Sequence, residues 1–217
     1  MFFTKKTCYK ANGVIFTPRA LAPRIQAPVG YSVPEYIDGL SYFTPVDNQL
    51  ENPWCLAYAT CALIERRNWQ LTGICKQLNP EPLYIESKLN DGDPRPGTTV
   101  LSMIKAVRSL RYISEDTPLI YLDTADEYRF AVHKYGAAVC VFNITQGWNS
   151  CSRLNGMIGD DNVPLGGHAV CGGYYDKFSA GGPNQWGVGW GWQGYWRMTW
   201  EQFKQQFDSG FVFDIQE

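Results

Sequence analysis

At 217 residues and 24.6 kDa the chain is long enough for one large domain or for two lobes of about 100 residues each. With 45% hydrophobic, 15% aromatic and only 18% charged residues it is a packed globular protein, which excludes disordered, collagen-like, coiled-coil and low-complexity organisations. The net charge of −2 comes from 19 Lys+Arg against 21 Asp+Glu with no basic cluster, so nucleic acid is not an expected partner.

Residues 1–32 carry Pro18, Pro23 and Pro28 and no sustained period, and they read as an extended arm laid over a surface. The N-terminus places Phe2 and Phe3 before Lys5 and Lys6, the reverse of a secretory signal, so a cytoplasmic or otherwise non-secreted protein is expected. Asn52-Pro53 predicts a helix start, with Asn as cap and Pro in the first turn, and the helix should run to about Gln70 before Thr72-Gly73. Most of its faces are apolar and only Glu65-Arg66-Arg67 read as solvated. Asn79-Pro80 starts a second helix through Lys88, residues 91–97 form a rigid loop, and 98–110 repeat apolar residues at helical spacing.

After Pro118 the pattern changes. Residues 126–134 predict one more helix, and 137–143, 168–174 and 186–199 read as strands between Gly, Asn and Asp clusters. The longest nearly continuous apolar stretch, 137–144, is too short to span a bilayer, so no membrane partner is expected. A helical lobe followed by a β lobe, with a ligand cleft between them, is the simplest α+β arrangement.

Seven cysteines (8, 55, 61, 75, 140, 151 and 171) are odd in number and contain no CxxC pair, so neither a complete disulfide framework nor a zinc site is indicated. Cys55 falls at the third position of its predicted helix, where the dipole and free N–H groups stabilise a thiolate. A cysteine there is otherwise a small buried hydrophobe. Of the two histidines, His133 sits on the last turn of a predicted helix and reads as a surface residue. His168 begins an apolar strand after two glycines and is the better candidate base, although a lone strand histidine is also compatible with a structural role. The run from Asn184 to Arg197, dense in Trp and Gly, suggests a hairpin whose indoles build a wall, equally suited to stacking on carbohydrate. Asn143-Ile-Thr is a sequon that matters only in a secreted protein.

The order Gln49, Cys55, His168, Asn184 resembles the papain-like cysteine proteases, the C1 family. Residues 33–38 look like the start of a mature enzyme of this kind, and 44–49 look like the segment leading to its oxyanion-hole glutamine, with Cys55 six residues later. Gly167-His168-Ala169-Val170 resembles the histidine segment, and 184–197 resembles the family's Asn-Ser-Trp-Gly-x-Gly-Trp-Gly-x-x-Gly-Tyr motif. Where the family usually has Cys-Gly-Ser-Cys-Trp, this chain reads Asn52-Pro-Trp-Cys55-Leu, which removes a cysteine that normally forms a disulfide. Gly167 stands where many members carry Asp, and the family's long prodomain is replaced by about 32 residues, too few to fold alone.

The resemblance implies a two-lobed fold with a β-barrel-like right lobe, an arm over 1–32 and a catalytic domain over 33–217, its helical lobe about 43–118 and its β lobe about 119–217. It implies Cys55 as nucleophile, His168 as its partner acid and base, Asn184 as the group that orients the imidazole, Trp186 as its cover and Gln49 as oxyanion donor. The main specificity pocket would be walled by Ala169, Leu165 and the Pro96-Gly97 loop, the substrate would be a peptide or protein, and no metal or organic cofactor would be needed. A silent or arm-blocked binding protein, and a Cys-His transamidase or acyltransferase, share the same residues.

Overall fold

The computed structural model describes residues 13–16 and 32–215. In chain order the elements are β1 (Ile37–Asp38), a 3-10 turn (Leu40–Tyr42), α1 (Cys55–Thr72), α2 (Pro80–Asp91), α3 (Val100–Ser109), β2 (Leu119–Leu122), α4 (Ala125–Tyr135), β3 (Ala138–Thr145), a second 3-10 turn (Gln146–Ser150), β4 (Pro164–Gly172), β5 (Tyr174–Tyr175), β6 (Ser179–Pro183), β7 (Tyr195–Thr199), α5 (Trp200–Gln206) and β8 (Phe207–Phe213). The expectation of an extended arm over 1–32 lies outside the described residues except at 13–16.

Capping chemistry accounts for most helix starts. Asn79 accepts from the Glu81 N–H with Pro80 in the first turn, Thr99 accepts from Ser102, and Thr124 with Glu127 and Thr199 with Gln202 form reciprocal capping boxes. The central helix is the exception. Asn52 does not cap it: its N–H donates to the Gln49 carbonyl and its own carbonyl accepts from Gln49 Nε2, so the chain turns once more and α1 begins at Cys55 behind an uncapped Trp54. Cys55 is therefore the first helical residue and not the third. Gly73 ends α1 in the left-handed region.

Glu65 and Arg66, expected in solvent, are buried. Buried charge persists where hydrogen bonds replace water. Glu65 accepts from Thr44 Oγ1 at 2.5 Å and from the Leu78 N–H at 2.6 Å, and burial raises its pKa. Arg66 donates through Nε and Nη2 to the Gly39 carbonyl (3.2 and 3.0 Å) and through Nη1 to Gln70, with its guanidinium 5.3 Å from the Phe43 ring centroid. These residues tie α1 to the chain on either side of it. Arg66→Ala should lower unfolding stability by about 3 kcal/mol, since it leaves a buried carbonyl unpaired and a cavity behind. Chemical denaturation checks this, and a change below about 0.5 kcal/mol would mean that the guanidinium adds nothing net.

The strands form two antiparallel four-stranded sheets, ordered β1-β5-β6-β7 and β2-β8-β3-β4. Neither closes, which corrects the expected barrel-like lobe. β3 is central, buried along nearly its whole length, and sets β4 in register with Phe142 opposite His168 and Val141 opposite Ala169. β4 begins at Pro164, four residues before the expected start, and α1 packs against it. The Trp/Gly run is a strand only over Tyr195–Thr199. Before it, Gly187, Gln193, Gly191 and Gly194 adopt positive φ and fold 186–194 into successive turns, which a continuous strand cannot contain. α4 carries His133 partly buried, not on the open surface. Among the described residues no helix is long and apolar enough to cross a membrane.

Candidate active site

Cys55 opens α1, so its backbone lies at the positive end of a helix of 18 residues. His168 stands in β4, which packs on that helix, and both side chains are fully buried. His168 Nε2 lies 3.0 Å from Asn184 Oδ1. An amide oxygen only accepts, so this nitrogen carries the proton and Nδ1 is the basic atom of the neutral ring. Among the described residues Nδ1 has no hydrogen-bond partner.

Aromatic rings enclose the imidazole. Trp186 lies 4.6 Å away between centroids at 31°, and Trp148 meets the ring edge-on at 5.6 Å. Trp148 is held by its indole N–H to Gln206 and stacks on Trp190 at 5.9 Å. The Trp wall is thus built by two separate segments, the turn at 146–150 and the Trp/Gly run, and not by one hairpin.

Gln49 is buried beside this group, its backbone N–H donating to the Gln185 carbonyl at 2.8 Å and its Nε2 to Asn52 at 2.8 Å. Nε2 keeps a second proton, and Oε1 has no partner. Asn48 bridges to Trp186, which fixes the glutamine loop against the turn after Asn184. The structure therefore brings together Cys55, His168, Asn184, Gln49, Trp186 and Ala169. Gly97 is buried at positive φ (87°) beside Thr98, and Leu165, on β4 three residues before His168, is partly buried against the core.

Residues 13–16 cross this site. Val14 forms a parallel bridge with Thr98, in which the Ile15 N–H donates to Thr98 O at 2.9 Å and the Thr98 N–H donates to Gly13 O at 3.2 Å. Gly13 passes so close to Cys55 that a Cβ placed on it would lie 2.2 Å from Sγ. On the other wall, a Cβ on Gly167 would meet the Phe16 ring at 2.8 Å and Val14 O at 3.0 Å. The Asp that the resemblance leads one to expect at 167 would not fit under this segment.

Covering the site sets its charge state. Burial pushes the Cys55 thiol up to about 12, against opposing backbone hydrogen bonds from Ala169, Leu56, Cys55 and Gly13. Burial also pushes His168 down to about 4, opposed by its bond to Asn184. The expected acidified thiol is therefore absent while the segment is in place, because desolvation outweighs the helix end. Thiol and imidazole are both neutral.

Sequence reasoning missed Thr98, Gly13, Trp148 and Gln185. Gly13 had a signal, being an isolated glycine in an extended segment, where close backbone approach is a standard cause. Thr98 acts through its backbone, which leaves no mark on residue type. Among the described residues no group of three or more His, Cys, Asp or Glu side chains could hold a metal ion, and six cysteines are free thiols.

The sequence matches no family model and no curated protein. Solved structures do match. Xylellain, a cysteine protease from Xylella fastidiosa, is 19% identical with a TM-score of 0.75, over 100% of this chain and 99% of that one. A procathepsin B from Trypanosoma congolense is 15% identical with a TM-score of 0.75, over 97% and 88%. A digestive procathepsin L 3 of Tenebrio molitor larval midgut is 17% identical with a TM-score of 0.62, over 97% and 77%. The chain has the papain-like two-lobed α+β fold.

Proposed function

We propose that this chain is a cysteine peptidase held latent by its own N-terminal arm. The observation that carries the reading is that α1, which buried Cys55 opens, packs on β4, which carries buried His168 with its Nε2 fixed by Asn184 and, among the described residues, no partner at Nδ1. In the uncovered site Nδ1 takes the thiol proton, and the Cys55 thiolate attacks the carbonyl carbon of a peptide bond. The tetrahedral oxyanion accepts from the second Nε2 proton of Gln49 and from the Cys55 N–H. Collapse expels the amine, which takes its proton from the His168 imidazolium, and water then resolves the thioester with His168 as base. Asn184 keeps the ring in the tautomer that both steps need, and Trp186 keeps water from their hydrogen bond.

Latency is supported by Gly13, Val14 and Phe16, which occupy the surface where a substrate chain would lie. The 1–32 segment is then a short pro-segment and 33–217 the catalytic unit. Ala169, Leu165 and Gly97 are the proposed pocket walls, and buried Val14 beside Thr98 suits a pocket for apolar side chains.

Intact mass spectrometry after treatment with an epoxysuccinyl peptide tests the reading. The chain lacking 1–32 should take a single adduct, and the same chain with Cys55→Ala none. Absence of an adduct on the truncated chain, found folded by circular dichroism, would favour a binding protein over an enzyme. Exchange of an added amine into the product in place of water would assign acyl transfer.

A further inference from the structure

We infer that Gln185 is a positioning residue for the Cys55–His168 pair, its side-chain amide clamping the nucleophile's helix to the histidine's strand; the inference rests on the peptidase reading. Gln185 is buried, and its Nε2 donates to Ala169 O at 2.7 Å and to Cys55 O at 3.4 Å. Its backbone carbonyl accepts from the Gln49 N–H. One residue thus touches the nucleophile, the neighbour of the histidine and the oxyanion-hole glutamine, while Asn184 just before it holds the imidazole.

The two wall residues come from distant parts of the chain. Cys55 is carried by a helix and Ala169 by a strand, and their approach is fixed across the interface where α1 packs on β4. Apolar packing sets that approach only loosely, because it is not directional. Hydrogen bonds from one planar amide to both carbonyls fix distance and angle together. The consequence reaches the sulfur directly: the Ala169 N–H is among the backbone groups that hydrogen-bond to Cys55 Sγ, so holding the Ala169 carbonyl from behind holds its N–H on the thiolate. A serine at 185, as in the motif this segment resembles, is too short to make both bonds.

The experiment uses the chain lacking residues 1–32, with 185 as Gln, Leu or Met. Leu and Met keep the volume and remove the donor, and two variants guard against one failing to fold. Alkylation of Cys55 by iodoacetamide is followed by intact mass from pH 4 to 10, beside kcat and KM on a peptide substrate and thermal melting. The Gln185 chain should show a reactive thiolate with an inflection well below the ordinary thiol value of about 8.5. In Gln185→Leu and Gln185→Met the inflection should move up by about one pH unit and kcat should fall about tenfold, with KM within about twofold, the size of one lost hydrogen bond. A merely structural role would lower the melting temperature and leave the inflection in place. An unmoved inflection and kcat in either folded variant overturns the inference alone. A Gln185 chain with neither a low inflection nor turnover overturns the peptidase reading, and the inference with it.

Discussion

Replacing Gly13 by leucine will raise the alkylation rate of Cys55 at pH 7.5 by about a thousandfold, because it lifts the covering segment off the sulfur and lets water reach the thiol. The geometry leaves no milder outcome. A Cβ at 13 would lie 2.2 Å from Sγ and 3.1 Å from the Pro53 carbonyl, and neither can retreat, since the sulfur is on the first residue of a buried helix. Covered, the thiol is pushed up to about 12; an ordinary exposed thiol near 8.5 is at least about a thousandfold more ionised at neutral pH. Deletion of 1–32 should give the same rate, and the two routes check each other. Gly167→Ala is the weaker companion, because its Cβ would meet the Phe16 ring, which can swing away, before it meets Val14 O. Rates in Gly13→Leu within threefold of the parent, or an unchanged kcat/KM on a small peptide after deletion of 1–32, would show that this segment restrains nothing.

The sequence displayed the chemistry better than the scaffold. His168 and Asn184 were singled out together by the resemblance of their segments to the papain-like motifs, and the structure puts the two side chains in one hydrogen bond. The caps at Asn79 and Thr124 act through their own side chains, so they too could be read. Asn52 looked equally good as a cap, but a competing local turn, in which Gln49 and Asn52 bond each other, moved the helix start to Cys55. Glu65 and Arg66 were misplaced for a different reason, since their partners Thr44, Leu78 and Gly39 are remote in sequence. The Trp/Gly run failed as a strand because four of its residues take positive φ, a property that alternation of residue types does not report.

Two of the closest approaches around residues 13–16 are made by glycines. Gly13 lies against Cys55 and Gly167 against Phe16 and Val14, and each is close to an atom that a methyl group would displace. The segment needs both gaps to lie flat. A side chain at 167, such as the expected Asp, would collide with Phe16 and Val14 in this arrangement.

The cover should also loosen in acid. His168 has its pKa pushed from an ordinary 6.5 down to about 4 by burial, so the covered state binds the proton less well than the open state does. Linkage then favours opening wherever the open ring is protonated and the covered one is not. The stabilisation of the covered state by neutral His168 is complete above pH 6.5 and is lost as pH falls toward 4, about tenfold per unit and about 300-fold in all. The ring meets Asn184, Trp148 and Trp186, none of them charged, so none supplies a counter-charge that would offset the shift. Cys55 works in the opposite sense: burial raises its thiol to about 12 in the covered state, so rising pH favours the open state once the open thiol ionises. Hydrogen exchange of the Ile15 amide, which donates to Thr98, reads the equilibrium directly. Its protection, corrected for intrinsic exchange, should fall steeply below pH 6.5, with His168→Gln abolishing the fall. Protection that stays level down to pH 4.5 would mean that the imidazole is solvated beneath the segment, and that covering does not hold it neutral.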